Sequence, residues 1–184
     1  MAVVAAVLLL IAGPGTRLDW WDFRFGFVLM RWAVYFMVMT RHCDRKTTGA
    51  ICDRFEMPPR HRKLICEHRF DADRCLYWLQ RHQPVANNAL YRRLSEFKTE
   101  PLLYMMAISR KKTIKRAISI YFTKLRFIRP AIRGRDLMAL GLAPGPVYRK
   151  ILDAVLDARL NGRLRTLEEE TEFARAFIQK DGSP

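Results

Sequence analysis

A hydrophobic period of 3.6 residues runs through this chain, and sustained alternation of apolar and polar residues occurs nowhere in it. That restricts the fold to the all-α class, because a half-buried strand needs a period of two. The clearest stripe is Ile114, Ile118, Tyr121, Phe122, Leu125 and Ile128. It leaves Lys112, Lys115, Arg116, Ser119 and Lys124 largely on the other side of a helix spanning about 111–128.

Punctuation delimits the other helices. An aromatic-rich stretch, 18–43, breaks at Gly26 and continues as a helix near 28–42. A short helix follows at 47–55. Pro58-Pro59 opens a helix that runs to about residue 82, before Pro84. Ala86 to Phe97 is a further short helix, and Thr99 is placed to cap the next, with Pro101 in its first turn. Gly134 to Leu140 is closed by Gly141. Pro146 launches a helix to residue 160, stopped by Asn161-Gly162. Thr166 and Glu169 have capping-box spacing and open the last helix, which ends near Gln179. The style changes beyond Pro130. The expected organisation is an apolar N-terminal segment (1–17), a multi-helix body (18–130) and a small helical tail (131–184).

The run Ala2 to Ala12 is apolar but shorter than the about 20 residues that span a bilayer, and no base precedes it. It reads as a buried helix left by truncation, so stable membrane insertion is not expected; the alternative is a membrane-associated helical protein that uses residues 2–12 as an anchor. Cys43, Cys52, Cys66 and Cys75 form no C-x-x-C pair and sit beside apolar residues, as core thiols do in a reducing cytoplasm. His42, His61, His68 and His82 show no ligand spacing. No metal site and no catalytic residue is expected.

The net charge of +15 is concentrated: residues 99–135 hold ten Lys/Arg against one acid, whereas 136–184 hold seven against eight. A localised stripe points to a polyanionic partner, nucleic acid ahead of an anionic membrane. The candidate contacts are Arg110, Lys111, Lys112, Lys115, Arg116 and Lys124, with Arg126 and Arg129 beyond them. Arg60, Arg62 and Lys63 form a weaker second patch.

The most specific string is Ile132-Arg133-Gly134-Arg135-Asp136-Leu137, then Leu140-Gly141-Leu142, then Pro144-Gly145-Pro146. It describes two helices joined at a sharp elbow. One reading has free amides at the start of the second helix holding a phosphate, with Arg133, Arg135 and Arg149 nearby. The other is a structural corner in which Asp136 caps the first turn, and Gly134, Gly141, Pro144, Gly145 and Pro146 shape the backbone.

This string, continued by Ile151-Leu152, Ala154 and Leu160-Asn161-Gly162, resembles the tail of bacterial tRNA nucleotidyltransferases and their poly(A) polymerase-like relatives. Arg31-Trp32-x-x-Tyr35-Phe36-x-x-Met39 and Ala89 to Leu94 resemble helices of that family's body. The resemblance implies a part that grips structured RNA, the acceptor and T arm of tRNA above all, by shape and phosphates. The family's chemistry lies in a head with a Gly-Ser loop, a D-x-D metal pair and an E-D-x-x-R-R motif, and none of these strings in its proper context occurs here. Asp71-Ala72-Asp73 spells D-x-D inside a helical pattern and reads as a solvated helix face. Mg2+ and nucleoside triphosphates are therefore expected to belong to a separate head, and this chain is expected to be inactive alone. The alternative is a helical assembly module that docks such a head or another subunit without touching RNA.

Overall fold

A computed structural model describes residues 31–181. Every regular element among them is helical. In order they are α1 (Arg31–Met39), α2 (Arg45–Arg54), α3 (Pro59–Lys63), a π-helical turn (Leu64–His68), α4 (Arg69–Arg81), α5 (Asn87–Leu94), α6 (Thr99–Ile108), α7 (Lys112–Thr123), a 3-10 turn (Leu125–Phe127), α8 (Gly134–Ala139), α9 (Pro146–Leu160) and α10 (Leu167–Asp181). The apolar run at 2–12, the aromatic residues up to Phe27 and the expected break at Gly26 lie outside the described residues. Among the described residues, no helix is long and apolar enough to cross a membrane.

The residues divide into two compact units. The first comprises the described residues up to Arg81 together with Phe97–Lys115. Here α6 packs on α1 and α4, burying Met37, Leu79, Leu102 and Met105. The helix that starts at Pro59 stays helical through the π turn, with Leu64 and Arg69 both in the α basin. The wider turn lets three consecutive side chains, Leu64, Ile65 and Cys66, enter the core.

The second unit comprises His82–Glu96 and the residues from Arg116 onward. Its core is Ile132, Leu137, Ile151, Val155 and Ala174, with Tyr148, Phe173 and Phe177 packed against it. A boundary after residue 130 is not where packing divides the chain. The reason is α5, which lies on α9. Arg92 donates to both oxygens of Asp157 at 3.1 and 2.6 Å, and the Asn87 side-chain amide donates to the Leu160 carbonyl at 3.1 Å.

Two expected termini shift. The basic helix ends at Thr123, because Lys124 leaves the helical basin (φ −130°, ψ −63°). Thr99 is the first helical residue and caps nothing; Lys98 holds the cap position without a side-chain bond. The capping box at Thr166 forms as expected. The Glu169 N–H donates to Thr166 Oγ1 at 3.2 Å, and the Thr166 N–H donates to Glu169 Oε2 at 3.3 Å.

Candidate nucleic-acid interface

On α7, Lys112, Lys115, Arg116 and Ser119 fall at i, i+3, i+4 and i+7, so one helical face carries them. The opposite stripe buries Ile114 and Ile118, with Tyr121 and Leu125 continuing it. Arg110, Lys111, Lys112, Arg116 and Lys124 are exposed, and Lys115 is half-buried. Among the described residues none of these six forms an ion pair. Arg110 to Lys115 belong to the first unit, and Arg116 onward belong to the second.

After α7 the 3-10 turn buries Leu125 and leaves Phe127 54% exposed. The Arg126 guanidinium lies 5.7 Å from the Phe122 ring centre and 5.3 Å from that of Phe127. Arg129 donates to the carbonyls of Arg126 and Ile128 at 3.0 and 2.9 Å, and to the Tyr91 hydroxyl at 3.3 Å. Phe127 escaped the sequence reading because it falls outside the apolar stripe.

The elbow is built mostly from its own backbone. Gly141 has φ +85°; its N–H donates to the Met138 carbonyl at 2.9 Å, and the Leu142 N–H donates to Leu137 at 3.3 Å. That is a Schellman closure, and it needs the left-handed conformation glycine adopts without strain. The Tyr148 hydroxyl, which the sequence did not single out, donates to the Leu142 carbonyl at 2.7 Å. Its ring lies 3.5 Å from where a Cβ on Gly134 would sit.

Carboxylates take the amides that enter α8. The Arg133 N–H donates to Asp136 Oδ2 at 2.7 Å, while Ala131 and Ile132 donate to Glu170 Oε2 at 2.7 and 2.9 Å. At the start of α9, Pro146 has no N–H, and the Tyr148 N–H is given to the Gly145 carbonyl at 3.0 Å. These bonds favour the structural reading of the elbow. Arg133, Arg135 and Arg149 remain exposed, Arg135 beside Asp136 at 3.6 Å and Arg149 beside Asp153 at 4.0 Å.

Over 162 residues, 85% of its length, the chain is 33% identical to the A-adding tRNA nucleotidyltransferase of Geobacter sulfurreducens. The chain belongs with the tRNA nucleotidyltransferases. A second relative, the A-adding tRNA nucleotidyltransferase of Halalkalibacterium halodurans, is 27% identical over 89 residues, 48% of the chain. The matched stretches are 18% and 21% of those two proteins, so the chain spans less than a quarter of either. No family model matches the chain, and no solved structure does.

This tRNA nucleotidyltransferase relative does not fit Mg2+ through Asp71-Ala72-Asp73. Residues two apart on a helix point about 200° apart, and the two carboxylates have separate partners. Asp71 pairs with Arg74. Asp73 accepts from the Tyr104 hydroxyl at 2.7 Å and faces Arg69 at 3.5 Å. Ala72 between them is buried. A wholly solvated face was therefore the wrong expectation for Asp73, whose partly buried carboxyl is pushed above the usual range by desolvation. Arg69 is fully buried, donating also to the carbonyls of Arg41 and Cys43 and to Thr48 Oγ1. Among the described residues no three His, Cys, Asp or Glu side chains converge on a possible metal position.

Three of the four thiols lie in the core as expected. Cys52, Cys66 and Cys75 are buried, and Cys43 is half-buried. Cys66 Sγ lies 3.6 Å from Cys52 Sγ, and burial pushes the Cys52 thiol up to about 11, which keeps it protonated and unreactive at neutral pH.

Proposed function

We propose that this chain is an RNA-holding part of a tRNA nucleotidyltransferase-like protein and grips the phosphate backbone of tRNA or another structured RNA in the cytoplasm. The carrying observation is the row Arg110, Lys111, Lys112, Lys115, Arg116 and Lys124, all but the half-buried Lys115 exposed and none of the six in an ion pair among the described residues. Kinship with proteins named for tRNA supports tRNA as the ligand. Arg133, Arg135 and Arg149 add cations in the second unit. On this reading nucleotide addition, with its Mg2+ and nucleoside triphosphates, is the work of a head domain that this chain serves, in the same protein or as a second subunit.

Binding to tRNA should weaken steeply with salt, by roughly 0.7–0.9 in log–log slope for each phosphate neutralised. Reversing Lys111, Lys112, Lys115 and Arg116 to Glu should lower both the affinity and that slope. An unchanged affinity removes α7 from the interface. Recovery of a head-like protein on the purified chain, without any direct RNA binding, selects the assembly role instead.

A further inference from the structure

We propose that Phe127, with Arg126 behind it, is a stacking site for a nucleobase of a single-stranded RNA segment. This rests on the RNA-holding reading and narrows it to RNA carrying unpaired nucleotides.

The site follows from the break after α7. Lys124 turns out of the helical basin, and Leu125 plugs the core, 3% exposed. The same turn brings the Phe127 ring to the surface, more than half exposed. The Arg126 guanidinium lies within 6 Å of two ring centres, Phe122 and Phe127, which positions its charge against the aromatic surface. Lys124, two residues before Arg126, and Arg129, two residues after Phe127 and held by two carbonyls and the Tyr91 hydroxyl, supply exposed cations on either side. All of these residues belong to the second unit. From residue 116 to residue 135 the sequence contains no acid.

An apolar ring adds nothing to contact with a duplex backbone, whose base faces are hidden within the stack. Beside cations it suits a strand whose bases are splayed out, each offering a π-face while its phosphates meet Lys and Arg. An apolar peptide partner would gain the ring but would leave the surrounding charge unanswered.

The test titrates the full chain with a blunt RNA hairpin and with the same hairpin carrying a four-nucleotide 3′ overhang. The overhang should raise affinity about tenfold in the wild type, the size of one base–aromatic stack. Phe127→Ala should abolish that gain and leave blunt-hairpin affinity and thermal melting unchanged, whereas Phe127→Trp should retain it. A 5-iodouridine in the overhang should photocrosslink to Phe127. Equal affinity of the wild type for the two RNAs, or an overhang gain that survives Phe127→Ala, overturns the stacking site and leaves the RNA-holding reading intact. Failure of the folded wild type to bind either hairpin overturns the RNA-holding reading and the stacking site with it.

Discussion

Glu170 is fully buried, yet every contact of its carboxylate is charge-assisted: two backbone N–H groups on one oxygen and Arg159 on the other. Glu170→Ala strands two amides and a guanidinium, so urea unfolding should show a loss of about 3 kcal/mol or more. Glu170→Gln, which keeps an acceptor oxygen, should fall between the two. A change below about 0.5 kcal/mol would falsify this account, since surface substitutions alone stay within that range. At the end of α2 the left-handed residue is Glu56, φ +46°, with the Met57 N–H on the Cys52 carbonyl at 3.0 Å. Side chains are strained there, so Glu56→Gly should raise stability by about 0.5–1 kcal/mol, seen as a higher melting temperature. The Asp44 carboxyl is held below the usual range by hydrogen bonds from the Thr47 side chain and N–H, the latter at 2.7 Å. A depressed folded-state pKa contributes stability above the unfolded value of about 3.9, and that contribution disappears as pH falls through the folded value. Asp44→Asn should therefore melt below the wild type at pH 7, and the gap should shrink as pH falls through the lowered folded value; a gap that stays constant with acidification contradicts the assignment. Asp73, raised rather than lowered, contributes with the opposite sign.

Helices were legible wherever their ends are written in local chemistry. Pro59, Pro146, Gly141, Gly162 and the Thr166–Glu169 box each act within a few residues, so sequence displays both partners. Elements whose role depends on distant partners were not legible. Nothing near Arg69 announces that its guanidinium will meet carbonyls 26 and 28 residues upstream, and the acidic first turn of α10 conceals that Glu170 faces inward while Glu168 and Glu169 face water. The candidate interface divides the same way. Its cations follow from composition and helical period, but the outward turn of Phe127 depends on a break that Lys124 makes five residues earlier than the apolar stripe implied. Tyr148 ties the elbow from α9, and Tyr148→Phe should cost about 1 kcal/mol through the lost bond to Leu142. Equal denaturation midpoints for the two proteins would show that the hydroxyl contributes nothing.

At the scale of the whole molecule, sequence order and packing order differ. The stretch from 131 onward shares its unit with α5, some forty residues upstream, through the bidentate Arg92–Asp157 pair and the Asn87–Leu160 bond. A fragment of residues 131–184 uncovers the side of α9 on which α5 lies. It should melt broadly and at lower temperature than a fragment of residues 82–184 when the two are followed by circular dichroism. A sharp transition of equal midpoint would establish the shorter piece as a domain in its own right.

The Glu170 latch also sets an order of events during synthesis. The amides of Ala131 and Ile132 wait for a carboxylate that lies 39 and 38 residues further along the chain. Translation delivers residues at about 5–20 per second, so for several seconds the nascent elbow exists without its closing acceptor. Until Glu170 clears the ribosome, those two N–H groups have only water to bond, and the second unit cannot complete its core one helix at a time.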